Sequence, residues 1–231
     1  TDHGNVFGAI EFYQQATAAG IKPIIGCEAY LTPPGVAMTE RNSDPKKRRN
    51  SHLTLLAQTN TGWQNLSNRV TQAHLDGFYY KPRIDKALLA QHSKGLIGLS
   101  SCLKGEVATG IRTDQARKAL EAAATYRDIL GPNNFFLEMQ YQGIEEQRIV
   151  NKGLLPILWE LFPDHPNLLP TYFERGRITG DYVEKPLLSR EGANVTVHRG
   201  GEVITSGGEY GEEGFVYQAY APIPRFGDDY V

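Results

Sequence analysis

Hydrophobic positions along the first 150 residues switch between two periods. Phe7 to Ala19 carries an amphipathic helical pattern, and the short apolar run Pro23 to Leu31 follows it. His52-Leu53-Thr54-Leu55-Leu56-Ala57 reads as a strand and Gly62 to Leu75 as a helix. Gly95 to Leu99 reads as a buried strand, and Asp114 to Leu130 as a long helix with Asp114 near its start. Phe135 to Met139 is a further strand, ahead of a helix over Glu145–Leu155. Apolar runs of ~4–8 residues alternating with helical periods predict βαβ units and parallel strands. After about residue 155 the pattern becomes short strands with glycine turns, as at Gly200-Gly201 and Gly207-Gly208, and predicts an α+β segment.

Charge changes sign where the pattern changes. Residues 1–150 hold 17 basic and 14 acidic side chains, and residues 151–231 hold 7 and 12. With the denser glycine and proline of the second stretch, this sets a boundary near 150–160. The net charge of −2 gives no global signature of nucleic-acid or membrane binding. No apolar run approaches the ~20 residues that cross a bilayer. Two cysteines, Cys27 and Cys102, make no disulfide framework, and no secretory signal is visible, so a reducing cytoplasmic setting is expected. The chain opens on Thr1-Asp2-His3 without a methionine, which leads us to expect a fragment.

Candidate chemistry gathers at predicted strand ends. Asp2, His3, Glu28, His52 and Cys102 all lie at or beside them, and in parallel α/β barrels the loops at strand C-termini collect the reactive groups. Imidazole, carboxylate and thiolate together suit zinc or a similar metal. The competing reading takes both cysteines as small buried residues and the histidines as incidental. Lys46-Lys47-Arg48-Arg49 suits a DNA backbone, or a solvated loop beside Asp44, Pro45 and Asn50. His74 reads as a structural or exposed helix residue, and Tyr79-Tyr80-Lys81-Pro82-Arg83 as a block that packs rather than stacks on bases.

The order of these blocks carries more than any one of them. Thr1-Asp2-His3-Gly4-Asn5, Gly20-Ile21-Lys22-Pro23-Ile24-Ile25-Gly26-Cys27-Glu28, His52 to Ala57, Gly77 to Arg83, Leu99 to Val107 and Phe136 to Gln140 together resemble the PHP (polymerase and histidinol phosphatase) domain. Within that family the pattern is similar to the form found in the alpha subunit of bacterial DNA polymerase III. The resemblance implies a truncated (β/α)7 barrel over residues 1–157. It puts His3, Glu28, His52 and Cys102 on metal-ligand positions with Asp2 beside them, for Zn2+ or Mn2+. It further implies phosphodiester hydrolysis of the 3′–5′ exonuclease type, with DNA and other replisome subunits as partners. The family's opening His-x-His and later Asp-x-His are absent from these 231 residues, as is the polymerase palm. About half the ligand set is missing, so the chain is expected to be inactive alone.

A second resemblance begins after the boundary. Asn151 to Pro163, His165 to Leu169, Tyr182 to Leu187, Ser189 to Asn194 and Gln218-Ala219-Tyr220 resemble the ATP-grasp region of glutathionylspermidine synthase-like ligases, over residues 158–231. That resemblance implies ATP contacts from Lys152 and Lys185, and adenine contacts from Gln218, Ala219, Tyr220 and Ala221. The chemistry is ATP-dependent joining of a carboxylate to an amine, with Mg2+. Asn151-Lys152-Gly153-Leu154-Leu155-Pro156-Ile157 fits either family, and the chain is read as a chimera.

Overall fold

The computed structural model describes residues 1–41, 44, 49–190 and 192–222, with the backbone alone of 225–226 and 229–230. The elements follow in the order β1 (Asp2–His3), α1 (Ala9–Ala18), β2 (Gly26–Leu31), β3 (Ser51–Ala57), α2 (Asn60–Leu75), β4 (Arg83–Ile84), α3 (Lys86–Gln91), β5 (Leu96–Leu99), α4 (Glu106–Arg112), α5 (Ala116–Leu130), β6 (Phe135–Phe136) and α6 (Glu145–Leu161). Seven strands come after α6 among the described residues: β7 (Thr171–Tyr172), β8 (Tyr182–Pro186), β9 (Thr196–Arg199), β10 (Glu202–Thr205), β11 (Phe215–Ala219), β12 (Arg225–Phe226) and β13 (Asp229–Tyr230), the last two pairing with each other. Two compact units result, Thr1–Thr109 with Glu121–Glu138, and Gly110–Leu120 with Met139–Val231.

The first unit holds a mixed sheet in the order β1-β2-β3-β5-β6, with β4 on the same edge of β2 as β1. The expectation of parallel strands is corrected here, because β3 runs antiparallel to both β2 and β5. The physical reason lies in the β2–β3 connection. Pro33, Pro34 and Gly35 follow β2 directly and disfavour a helix there, and a chain without a crossover helix returns antiparallel. Leu31, Leu53, Leu55, Leu66, Leu89 and Leu96 are fully buried between this sheet and its helices.

Local chemistry sets the helix ends. Thr59 caps α2 by accepting from Gly62 N at 3.1 Å, and Asp85 caps α3 by accepting from Leu88 N at 2.8 Å. Asp114 does not start α5 as expected. It sits in the left-handed region (φ 52°) after α4, where Gln115 N reaches back to Gly110 O at 2.8 Å. That is a Schellman-type stop with aspartate in the place glycine usually takes. The strand expected over Phe135–Met139 ends at Phe136, because the Ser100 hydroxyl accepts from Glu138 N at 2.8 Å in place of a strand carbonyl.

In the second unit α6 runs past Pro156 to Leu161, further than the expected end at Leu155. Pro156 removes one N–H donor, yet buried Val150, Leu154 and Ile157 keep the apolar face of the helix continuous. A five-stranded antiparallel sheet in the order β10-β9-β8-β11-β7 completes this unit and agrees with the α+β expectation. No helix is long and apolar enough to cross a membrane among the described residues.

Candidate metal centre

Alternation along paired strands builds the site. In register, His3 lies opposite Glu28, Glu28 opposite Thr54, and Tyr30 opposite His52. Successive side chains on a strand point to opposite faces, so His3, Glu28, Tyr30, His52 and Thr54 share one face. Cys27 and Asp2 pair with each other and belong to the other face. Cys102 arrives from a different direction, in the loop that follows β5. His52 N donates to Lys104 O at 3.1 Å, and Gly105 N to Cys102 O at 2.7 Å, which fixes that loop beside His52. Ser101, in the left-handed region at φ 64° and buried, turns the chain there, and its hydroxyl accepts from Thr54 Oγ1 at 3.3 Å.

The result is a triad. One ligand atom from each of Glu28, His52 and Cys102 lies within 4.8 Å of the other two. Cys102 Sγ is 3.6 Å from His52 Nδ1. The hydrogen bond from His52 holds the Cys102 thiol below its ordinary range, against the opposing effect of burial. The same bond raises His52, with the charge of Glu28 adding to it. Cys27 behaves oppositely: burial pushes its thiol up to about 11, so it stays protonated.

An orphaned atom tests whether a metal fits. Glu28 Oε1 is buried and close to His52 Nδ1, yet it makes no hydrogen bond. Carboxylate, imidazole and thiolate form a donor set that suits zinc, and three protein ligands leave a coordination position open, the pattern of a catalytic site. The residues fit the group.

The remaining sequence candidates fall in different places. His3 stands at the rim, its side chain 65% exposed, with Nε2 3.2 Å from Glu28 Oε1. Asp2 instead accepts from Gly8 N at 3.1 Å, on the far face of β1. Lys46, Lys47 and Arg48 lie outside the described residues, and Arg49 is exposed. Tyr30, whose ring meets His52 edge-on at 5.2 Å, was missed by the sequence reading. Its signal was its position two residues beyond Glu28 on the same strand.

In the second unit Lys152 Nζ donates to Pro186 O at 2.8 Å and to Ser189 Oγ at 2.5 Å. Lys185 Nζ donates to Gln218 Oε1 at 2.6 Å. Burial lowers both lysines, and the charge of Lys185 adds to the effect on Lys152. Ala219 pairs with Tyr182, Tyr220 N donates to Asp181 O at 3.0 Å, and Ala221 is exposed. The arrangement places two partly buried ammonium groups on one unit, with no carboxylate among the described residues bonded to either.

Comparison with known proteins matches residues 1–142 to the PHP domain. Residues 133–231 match the glutathionylspermidine synthase preATP-grasp model. The chain is 44% identical over 161 residues to DNA polymerase III subunit alpha of Treponema pallidum, covering 70% of this chain and 13% of that protein. It is 43% identical over 179 residues to the same subunit of Saccharopolyspora erythraea, covering 70% and 15%. With that of Mycobacterium tuberculosis it shares 45% over 168 residues, covering 68% and 14%. The chain thus spans roughly one seventh of the curated relatives it matches.

Proposed function

The chain belongs to the PHP domain family, and from that premise we propose that residues 1–157 are the PHP domain of a DNA polymerase III alpha-type replication protein. Its chemistry is metal-dependent phosphoester hydrolysis of the 3′–5′ exonuclease type. The observation that carries this reading is the convergence of Glu28, His52 and Cys102 from three separate chain segments. A bound Zn2+ or Mn2+ would polarise a phosphate and lower the pKa of its water. Glu28, His52 and Cys102 would hold the ion and leave one position open, with His3 at the rim 3.2 Å from Glu28 Oε1. With no His-x-His or Asp-x-His in these 231 residues, turnover by this chain alone is weak or nil. DNA and replisome subunits are the partners this reading implies, and the cytoplasm its compartment.

Calorimetric melting with and without Zn2+ or Mn2+ tests the proposal. An ion that binds only the folded state adds ~2.7 kcal/mol at a hundredfold excess over its dissociation constant. His52→Ala should remove the shift, and a shift of unchanged size in that variant would refute the triad as the site.

The match over residues 133–231 supports a further reading, an ATP-grasp-like fragment over residues 158–231 that contacts ATP with the help of Lys152 on α6, the Mg2+ that accompanies the nucleotide having its family ligands outside these 231 residues. The observation that favours it is the pair Lys152 and Lys185, both desolvated, with Lys185 bonded to Gln218. In the fragment, Lys152 and Lys185 meet phosphate, and Gln218, Ala219, Tyr220 and Ala221 meet the adenine. ATP titration of the parent and Lys185→Met distinguishes this, since equal affinity would sink the reading. Together the two family matches, overlapping at residues 133–142, favour a chimeric chain. Single-molecule reading of the source DNA across that overlap tests it, and a continuous junction there would sink the chimera reading.

A further inference from the structure

Three rings outside the triad stand in a row. Phe7, in the loop after β1, lies 6.2 Å from His74 on α2, and His74 lies 6.2 Å from Phe78 just beyond that helix. All three face solvent, Phe7 at 83% and Phe78 at 49% exposure. Exposing aromatic surface has a free-energy cost, so a row of it points to a ligand.

The row abuts the metal triad through Gly4. His74 Nε2 lies 3.0 Å from Gly4 O, and Gly4 N donates to Glu28 O at 2.8 Å. A Cβ at Gly4, whose φ is 71°, would stand 2.7 Å from Pro82 and 2.9 Å from the Tyr30 ring. Glycine therefore lets β1, Tyr30 and the segment after α2 meet, and Tyr30 in turn packs on His52. Directly before Pro82, exposed Lys81 holds its amine 5.4 Å above the Tyr30 ring. Tyr80 projects outward, 72% exposed, from a left-handed backbone (φ 60°) that non-glycine residues enter only at a cost. Arg83 in the same block is buried, whereas Tyr80, edge-on to Tyr79 at 4.7 Å, and Lys81 remain exposed.

We propose that Phe7, His74 and Phe78 form a base-stacking strip that leads single-stranded DNA to the Glu28–His52–Cys102 triad, with Lys81 on the backbone phosphate. Bases stack on aromatic rings without regard to sequence, and a lysine supplies the phosphate contact such strips need. The strip is a row of ring faces and edges beside a cation, the combination that bases joined by phosphates require. The assignment rests on the phosphoester reading for its chemistry, but DNA binding is measured without it.

Anisotropy of a short fluorescein-labelled oligothymidylate, with the full chain in EDTA at low salt, tests the strip. Phe7→Ala and Phe78→Ala should each weaken binding by roughly tenfold, the usual loss for one stacked base. Lys81→Ala should reduce the slope of log affinity against log salt by about 0.7, one phosphate contact. Phe7 is so exposed that its alanine variant folds as the parent does, and Phe78→Tyr should retain parental affinity. Oligonucleotide affinity unaltered in Phe7→Ala and Phe78→Ala overturns the proposal, as does an absence of binding by the parent. So does self-association that Phe78→Ala abolishes. Loss of the metal-induced melting shift with the strip effects intact would overturn the triad reading alone.

Discussion

Replacing Gly62 by alanine sets helix propensity against packing, and the two predict opposite signs. Gly62 lies in the first turn of α2, where alanine is better than glycine by up to about 1 kcal/mol. A Cβ at Gly62, however, would stand 1.8 Å from Gly95 O and 2.6 Å from Gly95 C. Reaching even the 3.4 Å of an ordinary contact needs about 1.6 Å of separation between two backbones. The neighbouring bonds resist that movement, since Gln58 N donates to Gly95 O at 2.9 Å and Gly62 N to the Thr59 cap at 3.1 Å. Overpacking of this kind costs ~1–3 kcal/mol, and a broken hydrogen bond adds ~1 kcal/mol. Offset by propensity, the net destabilisation is about 1–3 kcal/mol. Denaturant unfolding followed by fluorescence measures it. In a Trp159→Phe background Trp63 is the remaining tryptophan and reports on the first unit. Asn68→Ala, on the exposed face of the same helix, is the control that should gain a few tenths of a kcal/mol. A Gly62→Ala variant as stable as the parent, or more so, would refute the packing argument.

Cys102→Ser should weaken zinc binding at least tenfold, read by competition with a chromophoric chelator; unchanged affinity would remove Cys102 from the ligand set. Arg83 is buried and donates to Gly77 O, Met38 O and Glu40 O at 3.0, 2.7 and 2.9 Å. Arg83→Met should therefore cost about 3 kcal/mol and speed proteolysis near Arg41, as three carbonyls lose a charged donor. Tyr126, buried and donating to Glu106 at 2.6 Å, titrates well above its ordinary value because burial penalises the phenolate. A raised pKa means stability is complete below about pH 10 and is lost as pH rises through the folded value, by ~1.4 kcal/mol per unit. Tyr126→Phe should flatten that alkaline slope in the melting temperature, and an identical slope would refute the assignment.

Element positions were legible because each depends on local pattern. The alternation in His52–Ala57 and the helical period of Gly62–Leu75 returned as β3 and α2 within a residue or two. Strand direction was not legible, since a period of two is the same whether neighbours run parallel or antiparallel. Asp114 misled for a related reason: aspartate suits both a helix start and a left-handed stop, and only Gly110 beneath it selects between them.

For the candidate site, sequence by itself determined which residues carry metal-binding chemistry and, through the ordered blocks, the family. Tertiary structure decided which of them meet. Alternation put Asp2 and Cys27 on the far face, although both neighbour site residues in sequence. The loop after β5, held to His52 by backbone hydrogen bonds, brought Cys102 to Glu28 across more than seventy residues. Register between strands and the path of a loop are set by contacts between distant segments, and no window of sequence contains both partners of such a contact.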